Sequence, residues 1–348
     1  MAPDVVAMDQ RPQVKEYYGK TLKTSNDLKT NCCTAGELSP RLKKLLRNVH
    51  PEVIEKFYGC GAPFPPCLKG CTVLDLGCGS GRDVYVLSQL VGEQGEVIGV
   101  DMTEEQLEVA RRHEDFHRQE FGFAKSNTRF VLGYIEDLAS AGVASESIDV
   151  VVSNCVINLS SEKERVFREA FRVLKKGGEL YFSDTFCDRR IPEECKQDPV
   201  LRGECLSGAL YIEDFRRLLL SLGISDYRVM ASTAIEIEDE LKGRLRGANF
   251  VSLTIRAFKL DLEDKCEDYG QVAYYKGTVP EFPCAFDLDN RHRFETGKAA
   301  LICSNTAEML SKTRYASHFR VDGDTSNHFG IFVGCQGDIR NESTYSCC

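Results

Sequence analysis

From Cys71 to Leu260 the chain alternates between two kinds of apolar pattern. Short apolar runs of strand length recur at Thr72 to Leu76, Glu96 to Val100, Thr128 to Gly133 and Ser147 to Ser153, and again at Glu179 to Asp184, Tyr227 to Ala234 and Phe250 to Leu260. Between them lie stretches whose apolar positions return every three to four residues, the mark of a helix with one buried face. These predict helices over Asp83 to Val91, Thr103 to Phe121, Ser161 to Leu174 and Ile212 to Leu222; the second opens on a capping-box-like T-x-x-Q. Lys175 to Gly178 reads as a turn. Ser147 to Ser153 (SIDVVVS) is apolar almost without interruption, as expected of a strand covered on both faces. Strands and helices in this order call for a mostly parallel sheet with helices on both sides, so the fold class is α/β, a seven-stranded doubly wound sheet.

The flanks break the alternation. Residues 1–58 read as a helical arm and flap, and the glycine- and proline-rich turn segment from Phe57 to Pro66 (FYGCGAPFPP) spans the boundary. Residues 59–260 form the α/β domain, with 185–211 as an insertion after the fifth strand. Residues 261–348 change character and suggest a smaller α+β region with a flexible tail.

The first strand runs into Gly77, Cys78, Gly79, Ser80 and Gly81, a turn in which the backbone must bend sharply and approach a ligand closely. The spacing G-x-G-x-G differs from the dinucleotide fingerprint G-x-G-x-x-G, and Asp75 stands two residues before the first glycine. An acid there repels a pyrophosphate and suits a cationic group such as the amino end of S-adenosylmethionine. Asp101, 20 residues beyond Gly81 at the end of the second strand, has the spacing of an acid that holds a ribose diol. Ile135, Glu136, Asn154 and Cys155 follow the third and fourth strands and belong to the same carboxyl-end rim, where open α/β sheets bind ligands.

Net charge is −9 and no basic cluster is interleaved with aromatics, which argues against nucleic acid. No apolar run reaches membrane-spanning length and the N-terminus shows no signal-peptide pattern, so the expectation is a soluble, cytoplasmic protein, monomeric, acting on a small molecule. Sixteen cysteines then need an explanation. A secretory disulfide framework does not suit a long chain without a leader. Structural zinc is not expected either: no C-x-x-C pair occurs, the histidines are not read as ligand pairs, and the adjacent Cys32-Cys33 and Cys347-Cys348 chelate one small ion poorly. Thiol chemistry on a soft substrate remains.

These features together resemble the arsenite methyltransferase family. The resemblance is carried by YYG at Tyr17, Cys32, FYGCG at Phe57, DLGCGSGRD at Asp75, GVDMT at Gly99, SNCVINL at Ser153, GECLSGALY at Gly203, CEDYGQVAYYKGT at Cys266 and FETGKA at Phe294. The intervals of 95 residues from Cys60 to Cys155 and 50 from Cys155 to Cys205 match the family's pattern. It implies a Rossmann-like methyltransferase fold and, as cofactors, S-adenosylmethionine with a thiol reductant, glutathione or thioredoxin. By the same resemblance Cys60, Cys155 and Cys205 would hold As(III), and Cys32 would form a transient disulfide with Cys60. Adenosyl contacts would fall on Tyr58, Gly77, Cys78, Gly79, Asp101, Met102, Gln106, Ile135, Glu136 and Asn154, beside Asp75 and Gly81. The substrates would be trivalent arsenicals, free or as glutathione conjugates. Cys33 doubles the family's first cysteine, and Cys78 stands where members often carry a smaller polar residue, which is read as a backbone contact. A C- or O-methyltransferase of a quinone-like molecule, or a thiol protein that sequesters metalloids without turnover, are the rival readings.

Overall fold

The computed structural model describes residues 39–57, 59, 61–196, 198, 201, 206–237 and 239–333. Before the sheet come two short helices, α1 (Pro40–Arg47) and α2 (Pro51–Glu55), each with proline in its first turn and with Ser39 or His50 accepting from a helix N–H.

Five strands, β1 (Thr72–Leu76), β2 (Glu96–Asp101), β3 (Thr128–Leu132), β4 (Ile148–Asn154) and β5 (Leu174–Cys187), run parallel in the order β3-β2-β1-β4-β5. The two-residue β6 (Leu210–Tyr211) lies parallel beside β5, and β7 (Arg228–Ile235) and β8 (Phe250–Phe258) complete the sheet, β8 running antiparallel between β5 and β7. The seven-stranded expectation thus holds along the main path, with β6 as a short addition.

Helices cover both faces, as the apolar pattern of β1 and β4 requires. On one side α3 (Arg82–Val91) and α4 (Glu104–Arg112) pack Tyr85, Val86, Leu107 and Ala110 onto Val73, Val97 and Val150. On the other, α6 (Lys163–Val173) and α7 (Ile212–Ser221) bring Phe167 and Phe215 onto Phe182 and Phe186 of β5, ring centres 5.3 to 6.3 Å apart. Chain order reverses between β1 and β4. This is the switch point at which a crevice opens beyond the strand ends.

Two predicted elements differ. The helix expected over Thr103 to Phe121 is interrupted at His113, where ψ is 10°, giving α4 and α5 (Glu114–Glu120). The apolar period continues across the break, but the His113 ring is engaged with Glu52 at 2.7 Å, a polar contact that periodicity does not register. The turn expected at Lys175 to Gly178 is part of β5: Gly177 N and Gly178 O exchange 2.9 Å bonds with Lys259, so the ladder is carried through a bulge with Gly177 at φ 78°.

After Leu260 the chain builds a three-stranded antiparallel sheet, β13 (Ala299–Ile302), β10 (Gln271–Tyr275) and β14 (Phe319–Asp322), with the small pairs β11 (Ala285–Asp287) with β12 (Arg293–Glu295) and β9 (Glu267–Asp268) with β15 (Gly330–Ile331). One helix, α8 (Ser304–Ser311), closes a separate apolar core around Tyr275, Phe286, Met309 and Tyr315. Arg256 of β8 links this core to the main sheet: fully buried, it donates to Glu179 of β5, to Leu288 O and to Tyr315 Oη, each at 2.5 Å. Burial alone would raise the Glu179 carboxyl, but Arg256 and Arg314 together hold it below the ordinary range. No helix among the described residues is long and apolar enough to cross a membrane.

Candidate active site

The loop after β1 is built for close approach. Gly77 N and Cys78 N both donate to Val100 O of β2, which folds the chain back over the strand ends. Gly77 takes φ 69°, and a Cβ there would stand 2.2 Å from Val156 Cγ2, so only glycine fits. Gly81, at φ 88°, caps α3 and lies against Phe130 and Ala110; it shapes the turn from behind.

Acids gather around this loop. Asp101, the last residue of β2, accepts from Gly79 N at 2.9 Å and Thr103 N at 2.8 Å, so the backbone fixes its carboxylate. Burial raises its pKa, with those bonds pulling back. Asp75 is 2% exposed, and burial together with the negative charges of Asp83 and Asp101 pushes it well above the usual carboxylate range. Arg82 is committed to Asp83 at 2.6 to 2.7 Å and lies over the Phe57 ring. The cavity between β1 and β4 therefore holds carboxyl groups whose charged forms are costly in low dielectric, and a cationic ligand would favour those charged forms.

Asn154, at the end of β4, serves as a clasp. Its Oδ1 accepts from Gly61 N and its Nδ2 donates to Gly61 O, each at 2.9 Å, and Nδ2 also donates to Asp83 Oδ2 at 2.8 Å. This holds Gly61 against the rim. A Cβ on Gly61 would meet Ser183 Cβ at 2.6 Å, so the approach depends on glycine. Cys155 follows with φ 57°, an uncommon conformation for a side-chain-bearing residue and one that often marks function. Its N–H donates to Ser183 O at 2.9 Å, it is 4% exposed and it faces the cavity. Cys155 is disulfide-bonded.

One cavity of about 1010 Å³, measured with its open mouth, unites Asp75, Gly77, Cys78, Gly79, Asp101 and Met102 with Gln106, Ile135, Glu136, Asn154 and Cys155. Gly81 stands outside its wall. Cys78 packs its sulfur toward Gly99, and burial followed by Asp101 and Asp75 raises its thiol far above the usual range, so it stays protonated. Glu136 accepts from Ser160 Oγ. Tyr58, Cys60, Cys32 and Cys205 lie outside the described residues. The wall also includes Phe57, Ser80, Thr103, Tyr134 and Ser160, which the sequence reading did not single out. Phe57, Ser80 and Thr103 lie inside the quoted motifs and Tyr134 adjoins Ile135, and that was the available signal; Ser160 had none.

The glycine cradle, the backbone-fixed Asp101 and the acidic field fit a ligand combining a ribose with cationic sulfur and amine. Comparison with known proteins agrees. A methyltransferase-domain family model matches residues 68–226, and that of an arsenite methyltransferase C-terminal domain matches 268–338. The chain is 55% identical over 329 residues to an arsenite methyltransferase of Aquipseudomonas alcaligenes, covering 94% of each protein. It is 43% identical to a human arsenite methyltransferase, covering 88% of this chain and 82% of the relative. The crystal structure of an arsenic(III) S-adenosylmethionine methyltransferase from Chlamydomonas reinhardtii superposes with a TM-score of 0.83 at 50% identity, spanning 85% of this chain and all of the other.

Proposed function

This chain belongs to the arsenite methyltransferase family and is an S-adenosylmethionine-dependent enzyme that methylates arsenite; from that premise we propose that the arsenic is held by cysteine thiolates, with Cys155 as the ligand at the cavity rim. The observation that carries this reading is the placement of Cys155: at the tip of β4, in left-handed backbone, inside the acidic cavity and bonded to a second sulfur.

When bound, S-adenosylmethionine supplies a methyl group on a positively charged sulfur. Asp75 and Asp101 provide the opposing charge and the diol contact; the Gly77 to Gly79 backbone, Met102, Gln106, Ile135 and Glu136 shape the rest, with Tyr58 as a further contact. Asn154 acts by holding the flap down. Cys155 and Cys205 hold As(III), Cys60 is the third ligand or exchange partner, and Cys32 pairs transiently with Cys60. Three thiolates suit trivalent arsenic because soft sulfur ligands select soft ions and leave its lone pair exposed. That lone pair carries no proton, so no general base is required, and the demand on the protein is orientation. Methylation leaves arsenic formally pentavalent. Two cysteine thiolates return two electrons to it, restoring the trivalent state and forming one disulfide. Thioredoxin or glutathione then reduces that disulfide, so the disulfide-bonded Cys155 is a state on the proposed cycle. Arsenite and methylarsenite, free or glutathione-bound, are the substrates, giving mono-, di- and at the limit trimethylated products. The division into residues 1–58, 59–260 and 261–348 and a monomeric, cytoplasmic enzyme belong to the same reading.

The test uses the reduced full-length chain with S-adenosylmethionine and either arsenite or methylarsenite, with products resolved by mass. Cys155→Ser and Cys205→Ser are expected to lose methylation of both substrates while binding the cofactor normally by calorimetry. Normal turnover in either variant would refute the ligand assignment.

A further inference from the structure

Away from the cavity, His50, Glu52 and His113 each offer one ligand atom, and these atoms lie within 4.8 Å of one another. Among the described residues no other group of three histidine, cysteine or acidic side chains converges in this way. His50 caps α2, Glu52 occupies its first turn, and His113 stands in the break between α4 and α5. His113 Nε2 is 2.7 Å from Glu52 Oε2, and the two imidazoles stack with centres 3.6 Å apart. Glu52 Oε1 is taken by Arg112 Nη1 at 3.0 Å, with Lys56 Nζ at 3.9 Å, which leaves Oε2 to the histidines.

A third histidine steadies the other two. His117 Nε2 accepts from His50 N at 3.0 Å, so it bears no proton, and Nδ1 donates to His113 O at 2.7 Å. The ring is stacked on Tyr85 at 3.4 Å. His117 thus pins the backbones that carry His50 and His113. Supporting bonds of this kind set the orientation of metal-binding side chains.

We propose that His50, Glu52 and His113 form a binding site for a divalent cation of zinc type, with a water completing the coordination. Two imidazoles and one carboxylate are a donor set that zinc accepts in open sites. On binding, the proton between His113 Nε2 and Glu52 Oε2 vacates Nε2, for Nδ1 of the same ring or for water. Whichever nitrogen of His50 ligates, its Nδ1 no longer accepts from Glu52 N, a bond of 3.2 Å at a half-buried first turn. Because the two imidazoles stack face to face and a ring-nitrogen lone pair lies in its own ring plane, binding also turns one ring out of the stack so that both lone pairs meet the ion.

The position gives the site a consequence. The chain leaving α2 supplies Lys56 and Phe57 to the cavity wall, while α4 supplies Gln106. Ser80 Oγ of the glycine loop donates to Val53 O at 2.9 Å and to Lys56 O at 3.3 Å. A bound ion ties α2 to the α4–α5 junction and so joins two walls of the cavity from outside, without using any cysteine.

Ring-nitrogen NMR of the ¹⁵N-histidine-labelled full-length chain tests this, because its six histidines report imidazole ligation directly while thiol-bound zinc leaves them unmoved. Zinc(II) is added at neutral pH to an excess over the sixteen cysteines, with His50→Asn and His113→Asn assigning the signals. The expected result is that the His50 and His113 ring signals move together and that Glu52→Gln, which keeps the side-chain shape, weakens binding about tenfold or more. The proposal is overturned if those two signals stay fixed at saturating zinc in the unsubstituted chain, or if Glu52→Gln binds as tightly.

Discussion

Gly77 shows how one residue can fix the shape of a cavity wall. Both of its constraints are local: a positive φ, and the Val156 side chain 2.2 Å from where a Cβ would sit. Gly77→Ala is expected to fold, with unchanged far-ultraviolet circular dichroism, and to lose S-adenosylmethionine affinity by about tenfold or more, since strain of this kind is worth ~1–3 kcal/mol. Adding Val156→Ala removes the 2.2 Å contact but leaves the Val156 Cβ at 2.7 Å and the backbone strain, so calorimetry on the double variant should recover only part of the loss; full recovery would assign the whole effect to the Val156 methyl groups. At this scale the sequence was informative where chemistry is written in adjacent letters. The loop glycines, Asp75 and Asp101 could be read because a turn and a strand-end acid impose local rules. Asn154 was expected to contact the cofactor, yet its polar atoms are given to Gly61 and Asp83. Gly61 is 93 positions away, and no local pattern reports such a partner.

Among the elements, strand interiors were legible from apolar runs and the element ends less so. The break at His113 was hidden because it answers to Glu52, 61 residues earlier, while the helical period carries on unbroken. His113 and His117 stand at H-x₃-H spacing in the sequence, yet the structure turns His113 toward His50 and spends His117 on backbone bonds. The carboxyl end of β5 holds a titrating group of its own. Asp184 is buried, accepts from Thr185 N at 2.9 Å and Asn158 N at 3.1 Å, and burial still drives its pKa up to about 7. An unfolded aspartate releases its proton near 3.9, so between about 4 and 7 the folded chain keeps a proton that the unfolded chain gives up. Stability from this group therefore declines as pH rises through that window. Asp184→Asn cannot titrate, so its stability relative to the unsubstituted chain should improve by about 1 kcal/mol or more between pH 5 and pH 8, each tenfold difference in proton affinity between the folded and unfolded chain being worth ~1.4 kcal/mol. Urea midpoints at the two pH values measure it; a constant difference would show that Asp184 is not the titrating group.

Across the whole molecule, the α/β order was plain in the pattern, whereas the attachment of the C-terminal region was not. Glu179, Arg256, Arg314 and Tyr315 come from β5, β8 and the segment after α8, and in the sequence each looks like an ordinary polar position. They form a charge network in which Glu179 and Arg256 are fully buried and Arg314 is partly so. Glu179→Gln leaves the two guanidinium groups unbalanced and is expected to cost about 3–5 kcal/mol of unfolding free energy, the range for breaking one side of a buried pair. Urea denaturation followed by circular dichroism measures this, and a loss below about 1 kcal/mol, the ordinary worth of an exposed pair, would mean that water reaches the network.

Arg314 also donates to Pro66 O at 3.1 Å, spanning 248 residues. The stretch from Gly61 to Pro66 runs from the Asn154 clasp toward β1, so the last third of the polypeptide keeps a grip on the lid of the reaction chamber. Sequence drift in that region is therefore never remote from chemistry. A change there that loosens Arg314 would alter how tightly the chamber shuts, even though every residue that meets the substrate is untouched.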